Sequence, residues 1–395
     1  MTENELMSPI KSVTHKQLHE NLTYCEVARM VPMIWGAPGI GKTDVVHDWA
    51  EDKSYSLGIK KVTWHKLSRA EKNKLYEDPE ERKKVYIVYD NRAASNDSTD
   101  DKGIPNITNP DYLVWVQNQA YNIFSFPETR GLLFNDELTL APTLVQNSMY
   151  KMVHDKAVGD ISFNSNIFVV CAGNRIQDRA FVQETPLPLK TRMIHFWLVQ
   201  ATPEAQREYF MKIGLDSRVI GFFAAHPNLY FHYKDGSEEF TACTPRTIEF
   251  LSDLLKKNNL NFGDHKDAIT ILACGAVSSY VGNMFAKFLQ HTRTIKLDKY
   301  LRNPEMVHEL DSLDEQYGLI TLLVHRFANT TDTDKLLKTI MKIFSNLNEE
   351  IGTLMLRMVK NEAPKKFRNS ARKIEEVVDI MRQISPIVVK NRKVQ

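Results

Sequence analysis

The chain has 395 residues, 43% hydrophobic and 25% charged, with a formal net charge of +2; it can fill more than one core, and two or three domains is the natural prior. Its composition is that of an ordinary soluble protein, and no run approaches the ~18 apolar residues of a membrane span. The near-neutral charge argues neither for nor against a polyanion partner, the acidic opening residues lack the pattern of a signal peptide, and four scattered cysteines without metal-type spacing point to reduced thiols in a cytosol, a host's if the source is a virus.

Residues 1–14 read as a mobile lead-in and 15–30 as a loose helix. Residues 31–35 form a short apolar run that reads as a buried strand. It leads directly into Gly36-Ala37-Pro38-Gly39-Ile40-Gly41-Lys42-Thr43, and the segment from Asp44 to residue 51 reads as a helix. Strand, glycine loop and helix in that order are the context a phosphate-binding loop requires. Glycines at 36, 39 and 41 let the backbone curl its N–H groups toward an anion, and the helix start adds its positive dipole end. Residues 36–44 are therefore the candidate nucleotide-binding set, with Lys42 reaching the β- and γ-phosphates and the Thr43 hydroxyl a ligand for Mg²⁺. The alternative is a chance glycine turn.

Residues 64–84 are highly charged and read as a surface helix ahead of a strand at 85–89. The polar segment 90–105 reads as an exposed loop, and 111–119 as a helix. Residues 131–137 read as a buried strand ending in two acids. Asp136 would hold Mg²⁺ at the sheet edge, and Glu137 would align and deprotonate a water in line with the γ-phosphate; the rival reading is two solvated loop acids. Residues 144–154 read as a helix and 156–163 as a small hairpin. A further buried strand, 167–172, delivers Asn174 to the same edge, where its amide could orient water or serve as turn chemistry alone.

The stretches 36–43, 132–137, 172–179, 188–193 and 244–246 stand in the order found in AAA+ ATPases, and the chain resembles the MoxR branch of the helix-2-insert group over residues 15–290. The loop 90–105 and the hairpin 156–163 match segments of that branch; the charged insert 64–84 is longer than its usual connection. The resemblance implies an α/β fold with a five-stranded parallel sheet between helices (residues 1–200), a helical lid (201–292) and a C-terminal helical extension (293–395). It implies ATP and Mg²⁺ as ligands and a hexamer or other homo-oligomeric ring. It makes Asn174 the sensor-1 residue, Arg192 the arginine finger that enters a neighbour's site, and Arg246 the sensor-2 residue. Arg175 and Arg179 are further interface candidates. For Arg192 the competing reading is a surface arginine at a helix C-terminus.

In the remainder, 203–220, 247–256 and 264–289 read as lid helices, with 305–327, 334–347 and 349–360 as further helices. His226, His232 and His265 lack paired spacing and are assigned no role. From Lys360 to Lys393 ten Lys/Arg face four Asp/Glu, a basic end that could meet nucleic acid or an acidic partner surface, the alternative being a solvated helix face. The leading expectation is an ATP-driven remodelling ring acting on a protein partner, which the resemblance suggests carries a von Willebrand factor A domain. A nucleic-acid motor or loader is the alternative, and a small-molecule kinase, which would need no Arg192, a third.

Overall fold

The computed structural model describes residues 11–97, 99–100, 103–108, 114–116, 118–175, 183–233, 241–374 and 377. It divides into two compact units, residues 1–201 and 202–395.

In the first unit, β1 (Ser12–Val13) precedes α1 (His15–Val27), β2 (Val31–Trp35), α2 (Lys42–Ser56) and β3 (Lys60–Thr63). Then come α3 (Arg69–Glu77), α4 (Pro79–Lys83), β4 (Val85–Arg92), β5 (Ile104–Asn106), β6 (Val114–Val116), α5 (Gln119–Asn122) and β7 (Arg130–Asp136). The unit closes with α6 (Thr143–His154), the strands β8 (Ala157–Val158) and β9 (Ile161–Ser162), β10 (Ile167–Gly173), α7 (Leu187–Lys190) and β11 (Met193–Leu198).

Seven strands form one sheet in the order β1-β11-β2-β10-β7-β4-β3, and every pairing is parallel. The sheet is thus α/β and parallel, but wider than the five strands expected, because β1 and β3 add an edge on each side. β10 is buried along its whole length, which explains its unbroken apolar run: a strand covered on both faces has no polar side to show. One face packs Met33, Leu133, Val169 and Cys171 against Met149 and Met152 of α6. On the other, Trp49 of α2 meets Phe168 of β10, ring centroids 5.0 Å apart.

Several local expectations are corrected. Ser12 and Val13 are not part of a mobile lead-in; they pair with Trp197 and Leu198. Residues 114–116 form a strand, not a helix, pairing antiparallel with Ile104–Asn106; Val-Trp-Val suits a pleated ribbon better than a helical turn. Residues 111–113 and 117 lie outside the described residues. The exposed loop begins later than residue 90, because β4 runs to Arg92 and buried Asn91 donates to Asn135 Oδ1 at 2.9 Å. The insert forms two helices, since Asp78 caps a new one with Pro79 in its first turn.

The second unit is entirely helical among the described residues, apart from one isolated bridge, His232 to Cys243. It runs through α8 (Pro203–Lys212), α9 (Ser217–Ala225), α10 (Pro245–Lys257), α11 (Lys266–Val277), α12 (Ser279–Thr294) and α13 (Leu297–Arg302). It continues with α14 (Leu313–Asn329), α15 (Thr333–Phe344), α16 (Glu349–Glu362) and α17 (Pro364–Ala371). The span 203–220 is broken at Gly214, with φ at 72°, where a left-handed residue ends the first helix. The long helix expected over 305–327 instead starts at Leu313 under a Ser312–Glu315 capping box. One apolar core runs from Phe210 to Val377, through both the 201–292 and the 293–395 segments. Part of the basic end is engaged here: Lys373 bonds Asp334, and Lys366 donates to the carbonyls of Ala328 and Thr330.

Candidate active site

The parallel register decides what can meet. Gly36 follows β2, Glu137 follows β7 and Asn174 follows β10, so all three stand at the C-terminal edge of adjacent strands. This is the edge at which open α/β sheets take ligands.

The loop between β2 and α2 turns through Gly39 and Gly41, whose φ values are 77° and 91°. A side chain would strain both positions. The Lys42 ammonium lies inside this curl, and the residue is only 8% exposed. It donates to the carbonyls of Gly36 at 2.6 Å and Ala37 at 3.0 Å and to Asn174 Oδ1 at 2.7 Å. A buried cation with three acceptors is well compensated. The His15 ring bonds the Ile40 carbonyl at 2.6 Å and ties α1 to the loop.

Beside it, Thr43 Oγ1 donates to Asp136 Oδ2 at 2.8 Å. These two oxygens form a hard-donor pair of the kind Mg²⁺ takes, alongside phosphate oxygens and water. The other oxygen of Asp136 accepts the Glu137 N–H at 2.9 Å. Glu137 sits in left-handed backbone, φ 57°, a conformation that costs a non-glycine residue of order 1–3 kcal/mol and clusters at functional sites. Its carboxylate takes no hydrogen bond from any described residue and is left for a ligand or water.

Asn174 is held from two sides. Its side chain accepts from Lys42, and its N–H donates to Thr139 Oγ1 at 3.0 Å. Gly173 makes that approach possible, since a Cβ there would lie 2.6 Å from Thr139 Cγ2. Two further residues, Thr139 and His15, complete the site. Neither carries a motif, and each matters only through the contact the fold creates. A relay from half-buried Asn96 to buried Asn91 and Asn135 braces the neighbouring strand ends at 2.8 and 2.9 Å.

The cations divide differently. Arg192 precedes β11, and Met193 pairs with Val31 whereas Trp197 pairs with Trp35. At a strand rise of about 3.3 Å per residue, roughly 15 Å of sheet separate Arg192 from the start of the loop in its own chain. It is half-exposed rather than buried, its Nη1 donating to the Pro188 carbonyl at 2.7 Å. Arg175 lies next to Asn174, its guanidinium 4.3 Å over the Trp197 ring. Arg246 belongs to the helical unit, exposed in the first turn of α10. Arg179 lies outside the described residues. A separate cavity of about 470 Å³, lined by Met30, Lys53, Tyr86, Arg130 and Lys156 among others, contains none of the candidate site residues.

No protein-family model matches the chain, and no curated protein matches it in sequence. Among solved structures, it is similar to a point mutant of Thermotoga maritima RuvB, with 14% identity over 90% of this chain and 86% of that one and a TM-score of 0.26. It is similar to Brucella abortus NtrX in complex with ADP at 13% identity, covering 83% and 68%, with a TM-score of 0.34. It is also similar to Aeropyrum pernix ORC2 at 12% identity, covering 93% of each chain, with a TM-score of 0.29. At these values the likeness carries no functional inference, and the chemistry rests on the residues.

Proposed function

We propose that this chain is an AAA+ ATPase of the MoxR type, a subunit of a hexameric or other ring that hydrolyses ATP to ADP and phosphate and remodels a protein partner. The observation that carries the reading is the meeting of Lys42, Thr43, Asp136 and Asn174, from three separate segments, through contacts of 2.7 and 2.8 Å at one sheet edge. In this reading Lys42 exchanges its loop carbonyls for the β- and γ-phosphate oxygens, while backbone N–H groups of residues 36–44 cradle the chain of phosphates. Thr43 and Asp136 would hold Mg²⁺, which supplies charge to the phosphate oxygens. Asn174 orients a water and Glu137 takes its proton as the oxygen attacks the γ-phosphorus and the β–γ bridging bond breaks. Arg192 serves a neighbour's site, consistent with its place at the far end of its own sheet. Residues 201–292 act as the lid, carrying Arg246, and 293–395 extend it.

A protein partner, such as one with a von Willebrand factor A domain, is favoured over nucleic acid by the β8–β9 hairpin. Its Ala157, Val158, Ile161 and Phe163 are buried, and Lys156 turns its ammonium to the Val153 carbonyl at 2.7 Å. Burial holds that ammonium below the ordinary lysine range. The exposed side chain at the tip is the acid Asp160, a poor grip for a polyanion. None of the helices among the described residues is long and apolar enough to cross a membrane.

The test compares ATP binding and turnover of the full chain with Glu137→Gln. The variant should bind ATP and leave it uncleaved; wild-type turnover would remove Glu137 as the base. A protein co-purifying with the trapped form should stimulate wild-type hydrolysis, and stronger stimulation by DNA would replace the remodelling reading with the motor reading.

A further inference from the structure

Arg192 has a long side chain with several rotors, and delivering it to another subunit in one geometry requires that its freedom be limited beforehand. The structure contains a device that does this. The guanidinium carbon of Arg192 lies 4.5 Å over the ring of Tyr150 on α6. Its Nη1 donates to the Pro188 carbonyl, with Thr191 Oγ1 3.5 Å away, and its Nε is buried without a hydrogen-bond partner, which fits a guanidinium held by a ring face and a single short hydrogen bond. Tyr150 also has a ring neighbour on its own helix. Its ring stacks on His154 with centroids 5.8 Å apart and planes 6° from parallel, and His154 Nδ1 lies 2.6 Å from Asp155 Oδ1. Among the described residues no carboxylate pairs with Arg192 and no acceptor meets its Nη2, so its charge is not neutralised there.

We propose that Tyr150 is a positioning residue for Arg192: its ring holds one face of the guanidinium so that Nη2 and the charge are presented to the phosphate oxygens of a neighbouring subunit. The inference rests on the reading of Arg192 as a trans-acting cation. A ring face suits the task better than a carboxylate, because it orients the cation by its quadrupole without cancelling the charge the phosphoryl group needs. Pro188 sets the second coordinate, leaving the planar fork one free edge.

Mixing experiments test the two claims separately. Arg192→Ala subunits keep Glu137 but lack a finger; Glu137→Gln subunits keep the finger but cannot cleave. Mixed, they should recover part of the hydrolysis, and failure to recover any would overturn the trans reading itself and this inference with it. If they do recover it, donors carrying Glu137→Gln with Tyr150→Leu should restore roughly 2- to 30-fold less, the range a cation–π contact converts to. Donors with Tyr150→Phe, which keeps the ring, should restore as much as the parent donor. Placing Tyr150→Leu in the Arg192→Ala acceptor should leave recovery unchanged, because there the ring has no guanidinium to hold. Equal recovery with the leucine donor, or an equal loss from the acceptor substitution, would assign Tyr150 to packing and sink the proposal.

Discussion

The two units of this chain bury different things. In the α/β unit the interior includes Lys42, Asn91, Asn135, Thr139 and Asn174, whose polar atoms bond one another across separate elements. In the helical unit the buried polar side chains are mostly hydroxyls, and several bond within their own helix: Thr292 and Thr321 donate to carbonyls one helical turn back, while Ser252 accepts the Asp216 N–H and Ser370 donates to Asp334 across elements. The rest of that core is apolar, with Phe222 against Phe285 and Phe288 at 5.4 and 5.7 Å. Polar groups linked between elements are sensitive to the exact placement of those elements, so they suit a site. Hydroxyls satisfied within one helix place no such demand, and stability there rests chiefly on packing.

That contrast is open to attack at several points. Lys42→Ala has the largest expected effect, loss of nucleotide binding by calorimetry with helical content by circular dichroism unchanged; normal affinity would refute the phosphate-loop assignment. Arg192→Ala should leave binding intact and slow hydrolysis by ~10³–10⁵, read from steady-state kcat. A fall in nucleotide affinity instead would place that residue's role in folding. In the helical unit the expected effects are on stability and carry opposite signs. A Cβ on Gly282 would sit 2.4 Å from the backbone nitrogen of Cys274, so Gly282→Ala must push α12 off α11 at a cost of about 1–3 kcal/mol. Gly275 has open space around it, and Gly275→Ala should stabilise by about 0.5–1 kcal/mol through helix propensity. Urea unfolding measures both, and ATP turnover should move in neither. The smallest effect is chemical: burial pushes the Cys171 thiol up to about 12, so iodoacetamide near pH 8 should label partly exposed Cys274 and spare Cys171 in the native protein.

Legibility in the sequence followed distance along the chain. The strand, loop and helix around Lys42 are contiguous, and a glycine loop between an apolar run and a helix start has few other uses. The acid-ended strand was readable because its apolar run through Phe134 gives way to Asn135, Asp136 and Glu137. β3 was not: Lys60 and Lys61 open it, and its edge position leaves much of it in water. β1 is two residues long and depends on Trp197 and Leu198 for its existence. β11, Met-Ile-His-Phe-Trp-Leu, does not declare itself as a strand because its half-buried pattern shows no clean alternation. Thr139 was invisible for a related reason, since only the pairing of β10 with β7 brings a threonine past the acids under the N–H of Asn174.

The register of β11 against β2 has a kinetic signature. On the proposed function, nucleotide capture draws on groups of one chain and should be indifferent to dilution. Cleavage, on the proposed reading, draws on two, since Arg192 stands a sheet's length from its own loop. Turnover per chain should therefore fall steeply as protein is diluted below its assembly threshold, while the fraction of chains holding nucleotide stays level.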